Sequence, residues 1–163
     1  MRRKSPAALA AALLLNACVV TATNVAPTPA GEAPAVPDRD EAIDEFVALA
    51  NRARADAGCA APLIWRDDIA AVAQAHSEDM RRRGYFDHVT PDGLTPLDRV
   101  QGAGIAVWAV AENIALGQPT GASVYESWRG SAGHRRNLLN CEYTHHGVGL
   151  AGAHWTHLLV RPQ

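Results

Sequence analysis

Two long segments in the first half of the chain have apolar residues at helical spacing. The first covers residues 40–57, opens with acidic side chains and is ended by Gly58. The second begins at Asp67 or Asp68, finishes with three arginines that suit the negative end of a helix dipole, and is ended by Gly84. The apolar stripes are Ile43, Phe46, Val47 and Ala50 in the first segment, and Ile69, Val72, Ala73, His76 and Met80 in the second. We therefore predict two amphipathic helices, each with one face in the core.

Shorter patterns fill the second half of the chain. Thr95-Pro96-Leu97-Asp98 has the sequence of a capping box with proline at the first helical position, and it predicts a short helix to about Gln101. The other predicted elements are a strand over residues 105–110, a helix from Thr120, a short helix over residues 131–140, and strands over residues 146–150 and 155–160 joined by a turn at Gly152. Helices and strands of this kind predict an α+β domain.

The first 18 residues have the pattern of an export signal, with three basic residues before an apolar stretch that is too short to span a bilayer. The stretch ends in Leu15-Asn16-Ala17-Cys18, which resembles the lipobox of bacterial lipoproteins. We expect Cys18 to be lipidated, with ordinary cleavage near residues 21–22 as the alternative. Residues 19–37 are rich in proline and alanine and predict an extended tether, and residues 38–163 predict one domain.

Composition agrees with export. The chain has 17 acidic and 15 basic residues, and three of the basic residues lie in the signal. The exported part is therefore net acidic and unsuited to binding nucleic acid.

Beyond the signal the cysteines are Cys59 and Cys141, which can pair in an oxidising compartment. Two separately buried thiols are the alternative, and we predict the bridge. We expect an extracytoplasmic protein, either secreted or periplasmic, or held at a bacterial membrane only through the lipid on Cys18.

Three polar residues at the boundaries of predicted elements are candidates for a functional site. His88 follows two aromatic residues and precedes a turn, and Glu112 lies between apolar residues, where a buried carboxylate must be paired or line a cavity. His134 falls in the first turn of the short helix that Ser131 can cap. We expect His88, Glu112 and His134 to converge on one cleft, because site residues collect at the edges of a rigid core.

The other histidines have structural interpretations. His76 lies on the apolar stripe of its helix, where we expect a hydrogen-bonded core residue. The remaining four, His145, His146, His154 and His157, are expected to be exposed or on an edge strand.

A set of short motifs, in their order and spacing, resembles the CAP superfamily of cysteine-rich secretory, antigen 5 and pathogenesis-related-1 proteins, also called SCP domains. The resemblance covers nearly all of residues 40–161 and looks closest to the compact bacterial branch. The motifs are Asn51-Arg52, Ala75-His76-Ser77 with Met80, Tyr85-Phe86-Asp87-His88, Glu112-Asn113-Ile114-Ala115, Trp128, Gly133-His134-Arg135 with Asn137, and Gly147-Val148-Gly149.

The resemblance implies a three-layer α-β-α sandwich with a central cavity that eukaryotic members line with two histidines and two glutamates. By position, His88 and His134 match the histidines and Glu112 matches the first glutamate. Ser131 stands where the second glutamate is expected, so the cavity set becomes His88, Glu112, Ser131 and His134.

Two classes of function fit these residues. Two imidazoles and a carboxylate can hold zinc, with His88 and His134 as candidate ligands and Glu112 as a further one, or they can act as an acid–base cluster. The chain has no His-Glu-x-x-His helix and no Gly-x-Ser-x-Gly elbow. We therefore favour a non-enzymatic module that binds a small ligand, lipid, glycan, peptide or protein and requires no cofactor. The alternative is a metal-assisted, peptidase-like hydrolase that uses His88, Glu112 and His134.

Overall fold

The computed structural model describes residues 38–163, which contain five helices and four strands. The predicted export signal, tether and lipidation site at Cys18 lie outside the described residues. The elements in chain order are α1 (Arg39–Asp56), β1 (Ile64–Trp65), α2 (Asp67–Arg83), α3 (Pro96–Gly102), β2 (Val107–Leu116), α4 (Gly121–Gly130), α5 (Ala132–Leu139), β3 (His145–Ala151) and β4 (His154–Pro162).

The four strands form one mixed sheet in the order β1-β3-β4-β2. β1 pairs in parallel with β3 at two positions only, whereas β3 and β2 each pair in antiparallel fashion with β4 along most of their length. β2 extends further than the strand predicted over residues 105–110, because its pairing with β4 continues through Glu112 to Leu116. Glu112 therefore lies within an edge strand rather than after it.

Helices cover both faces of this sheet. Side chains alternate along β4, so that Trp155 packs with α1, α4 and α5, and Leu158 and Val160 pack with α2 and α3. The first core contains Phe46, Trp128 and Leu138, and the second contains Ile69 and Val100. The predicted three-layer α-β-α sandwich is confirmed.

Two glycines of β3 allow α2 to lie directly on the sheet. A Cβ atom at Gly147 would stand 2.2 Å from the backbone nitrogen of Ala70, and one at Gly149 would stand 2.3 Å from that of Gln74. Real Cβ contacts are essentially never this short, so any larger residue at either position would push the helix away. This close approach fixes the position of α2, whose C-terminal end leads into the loop that carries His88.

The cysteine prediction is also confirmed, because Cys59 and Cys141 form a disulfide that joins residues 82 positions apart. It links the chain just after α1 to the chain just after α5. Thr95 forms the predicted capping box with Asp98 at the start of α3. Among residues 38–163, none of the helices combines the length and the apolar character that crossing a bilayer requires.

Candidate functional site

The side chain of Glu112 occupies the centre of the candidate site and is only 1% exposed. Its Oε1 atom lies 2.8 Å from Nδ1 of His88, and its Oε2 atom accepts a hydrogen bond from the guanidinium of Arg99. A carboxylate removed from water needs such partners, since burial of an unpaired charge is strongly unfavourable. We call His88, Arg99 and Glu112 the His88 cluster.

His88 is the accessible member of the His88 cluster. It lies in the loop between α2 and α3, and its side chain is 46% exposed. The hydrogen bond to Glu112 raises the pKa of His88, against the smaller opposing effect of partial burial. Because Nδ1 faces Glu112, Nε2 is the ring nitrogen that remains for another partner.

Arg99 was not anticipated from the sequence. One of its terminal nitrogens donates to the backbone carbonyls of His88 at 2.8 Å and of Leu94 at 3.1 Å, while the other donates to Glu112. The same guanidinium therefore neutralises the buried carboxylate and fixes the loop that presents His88. Burial of Glu112 implied a cation, but the sequence offers no spacing rule that selects Arg99, thirteen residues earlier on a separate helix.

A second histidine, His76, lies close to the Glu112 carboxylate. The side chain of His76, on α2, is fully buried, with Nε2 at 3.1 Å from the backbone carbonyl of Asp87 and 4.0 Å from Oε1 of Glu112. Burial lowers the pKa of His76 and outweighs the opposing effect of the Glu112 charge. The neutral ring donates its N–H to the Asp87 carbonyl, as expected for a hydrogen-bonded core histidine.

His134 approaches the same strand from the opposite layer. It lies in the first turn of α5, its backbone carbonyl accepts a 3.1 Å hydrogen bond from the Asn113 side chain, and its ring packs 6.5 Å from that of Trp128. Asn137 adds hydrogen bonds to the carbonyl of Glu112 and to the side chain of Asn113. Burial, and secondarily the charge of His88, lower the pKa of His134. The structure thus joins His88 directly to Glu112 and joins His134 to the same strand through its backbone.

Ser131 is the residue between α4 and α5, where it is half-buried. Its extended backbone is that of a helix N-cap, but its side chain makes no capping hydrogen bond. α5 is held instead by the asparagine contacts to β2. Participation of Ser131 in a cavity stays a prediction.

The arrangement of donors bears on the zinc prediction. Both oxygens of Glu112 are already engaged, by His88 and by Arg99. Over residues 38–163, no group of three or more histidine, cysteine, aspartate or glutamate side chains has a geometry that could hold a metal ion. The present arrangement thus does not supply the three protein ligands of an open zinc site. Zinc at His88, His134 and Glu112 stays a prediction from the sequence.

Two of the strand histidines correct an expectation. His146 and His157, predicted to be exposed or on an edge, are both fully buried. The reason is topological, since β3 and β4 are the inner strands of the sheet and helices cover both faces. Nδ1 of His146 lies 3.1 Å from Nε2 of His157, and the ring of His157 stacks on that of Trp128.

The sequence profile of the CAP family, described as the cysteine-rich secretory protein family, matches residues 47–156. The uncharacterized protein YkwD of Bacillus subtilis (strain 168) is 39% identical over 118 residues, which are 71% of this chain and 46% of YkwD.

Two solved structures are similar. One is an extracellular protein of Bacillus anthracis that contains an SCP domain, with 34% identity, a TM-score of 0.69, and coverage of 72% of this chain and 39% of that one. The other is an outer surface protein of Borrelia burgdorferi, with 17% identity, a TM-score of 0.72, and coverage of 78% and 97%; at this identity it supports the fold alone. The chain thus spans less than half the length of YkwD and of the anthrax protein.

Proposed function

Because the chain belongs to the CAP family, the cysteine-rich secretory proteins, we propose that it is an extracytoplasmic, non-enzymatic binding module that recognises its ligand at His88. The disulfide supports an oxidising compartment, and the similar anthrax protein is described as extracellular. The export signal and the lipid on Cys18 belong to the same proposal. The lipid would attach the domain to a bacterial membrane through the proline-rich segment.

The main support for the proposal is that both carboxylate oxygens of Glu112 already have partners. A general base or a nucleophile needs a free lone pair directed at the substrate, and a zinc ligand needs one directed at the ion. Glu112 is enclosed, with one oxygen on His88 and the other on Arg99. Its role in this arrangement is to orient the His88 ring and to favour the protonated imidazole, which leaves Nε2 as an N–H donor to a ligand.

The surroundings of His88 support a ligand with both polar and apolar parts. The loop that carries His88 also exposes Phe86, Val89 and Leu94. A half-exposed imidazole beside exposed apolar side chains suits a molecule that offers a hydrogen-bond acceptor next to an apolar body. A lipid, a glycan, a peptide and a protein surface can each provide this combination. The net acidic composition makes nucleic acid an unsuitable partner.

The hydrolase alternative makes a different demand. It requires that the Glu112 carboxylate release Arg99, or that His134 supply the missing catalytic group together with a metal.

One experiment separates the two proposals. Protein purified without chelator is analysed for metal and assayed on peptidase and esterase substrates, in parallel with ligand screening by thermal shift. The binding module predicts ligand-dependent stabilisation that His88→Ala removes and His145→Ala retains, without turnover. Turnover that requires zinc and is lost in both His88→Ala and His134→Ala would establish the hydrolase instead.

A further inference from the structure

The outer edge of the sheet is only partly filled by β1. β1 pairs with β3 at His145 and His146 and then ends, because the chain turns into α2 at Asp67. The rest of β3 has no strand on that side within the described structure. A longer strand would occupy the space between α1 and α2 at this edge, and in its place there is an open groove of about 510 Å³.

Several apolar side chains line the groove, which we call the edge groove. Ile43 and Val47 of α1 and Val148 of β3 line it, together with Trp65, the last residue of β1, which is 39% exposed. The backbone N–H of Leu150, further along β3, is already satisfied by the side chain of Gln74, which also lines the groove. None of the members of the His88 cluster borders the edge groove.

Charge around the edge groove is mainly negative. Asp40, Asp44 and Asp67 line it together with one cation, Arg39. Arg39 pairs with Asp40, but both side chains are more than half exposed, so this pair contributes little and can readily exchange partners. Asp44 forms no salt bridge within residues 38–163. Asp67 accepts a hydrogen bond from the Trp65 indole and also lines the groove.

The dimensions favour an extended segment over a single side chain. The lining residues of α1 run from Arg39 to Val47, a distance of about 12 Å along a helix axis. An extended peptide covers that distance in about four residues. The volume also falls in the usual range for ligand sites.

We propose that the edge groove binds an extended peptide segment of a partner protein that alternates lysine or arginine with aliphatic residues. The aliphatic side chains pack on Ile43, Val47 and Val148, and the cationic ones meet Asp40, Asp44 and Asp67. The Trp65 ring adds a face on which an arginine or lysine can lie. This site is separate from the one in the proposed function and does not depend on it.

The test uses the full chain and a fluorescein-labelled hexapeptide of alternating lysine and valine, with a matched hexapeptide of glutamate and valine. Anisotropy should rise saturably with the lysine peptide, weaken as salt increases, and stay flat with the glutamate peptide. Asp44→Lys should weaken binding about tenfold, because it reverses a charge at the groove. Asp56→Lys, an exposed substitution on the same helix outside the groove, should change binding less than about twofold.

Location is checked by amide chemical shifts, which should change at residues 39–47, 65–74 and 148. The proposal is overturned if the lysine peptide does not bind, if the two peptides bind equally, or if Asp44→Lys and Asp56→Lys have the same effect. Shifts centred on residues 86–97 would assign the peptide to the His88 loop and also overturn it. Spermidine that displaces the peptide at equal concentration would show a site for small amines rather than for a peptide.

Discussion

Nδ1 of His146 lies 3.1 Å from Nε2 of His157, and both rings are completely buried between the sheet and the helices that cover it. The contact requires one ring to donate an N–H and the other to accept it. The remaining nitrogens, Nε2 of His146 and Nδ1 of His157, have no hydrogen-bond partner in the described structure. The buried guanidinium of Arg54, held by three backbone carbonyls, adds a nearby positive charge. Both rings are therefore held neutral.

This pair predicts acid sensitivity. Burial lowers the pKa of His146 to about 4 and that of His157 well below its ordinary value, and in each case nearby positive charges add to the effect. A folded-state pKa below the unfolded one means that the unfolded chain binds more protons as the pH falls below about 6.5. The unfolding free energy therefore has its full value above that pH and falls as the pH is lowered below it. Between pH 7.5 and 5.0 each histidine should cost roughly 2 kcal/mol of unfolding free energy.

Urea unfolding at the two pH values measures this loss. His146→Leu should reduce the difference in unfolding free energy between the two pH values by about the share of one histidine, whereas Arg129→Ala, which removes an exposed arginine, should leave that difference unchanged. His76 and His134 also have lowered pKa values and act in the same direction, while His88 acts in the opposite one. The comparison of variants isolates the pair from them. An unchanged pH dependence in His146→Leu would show that the pair is not the source.

These two histidines also show which structural features could not be predicted from the sequence. The amphipathic stripes of α1 and α2 could be predicted because a helix's own spacing decides which face is apolar. Whether His146 and His157 are buried depends on the order of strands in the sheet, which is a long-range property. In the same way, Glu112 could be recognised as a buried carboxylate, but its partner Arg99 is selected by the packing of α3 against β2. His88 and Glu112 could thus be proposed from local sequence signatures, whereas Arg99, whose position depends on tertiary structure, could not.

The disulfide should make a large contribution to stability. Cys59 and Cys141 close a loop of about 80 residues, and in the chain-entropy account a loop of that size contributes about 4 kcal/mol. A Cys59→Ser, Cys141→Ser double variant should lose about this much unfolding free energy in urea titrations. Dithiothreitol should lower the midpoint of the wild type and leave that of the double variant unchanged. Equal midpoints for the oxidised wild type and the double variant would contradict a stabilising role.

Arg99 should be more important for stability than an ordinary surface arginine. Arg99→Ala leaves the buried Glu112 without its cation and releases the carbonyls of His88 and Leu94, so the unfolding free energy should fall by roughly 3–5 kcal/mol. The double variant Arg99→Ala, Glu112→Gln should recover part of that loss, because the stranded charge is then absent. Arg129→Ala, which removes an exposed arginine paired with Glu126, should change stability by less than about 1 kcal/mol. Additive losses in the double variant would indicate that Arg99 does not act through Glu112.

Lipidation of Cys18 is the prediction that decides how the domain is displayed. If the lipobox interpretation is correct, labelled palmitate should be incorporated into the wild type and not into Cys18→Ser. The variant should then leave the membrane fraction, because it lacks the proposed lipid anchor. Equal labelling of both proteins, or a soluble mature form beginning near Ala22, would favour ordinary cleavage.

The orientation of His88 by Glu112 has a direct spectroscopic consequence. The 2.8 Å contact favours the protonated imidazole, so the pKa of His88 measured by NMR titration of its ring protons should lie above that of a histidine in the urea-unfolded chain. Glu112→Gln removes the charge but keeps the shape and an amide oxygen, and it should lower the pKa of His88. Amide chemical shifts of residues away from Glu112 should stay the same in this variant, which checks that the fold is unchanged. A His88 pKa that does not respond to Glu112→Gln would mean that the ring is not held by the carboxylate in solution, and the binding role proposed for its Nε2 atom would lose its physical basis.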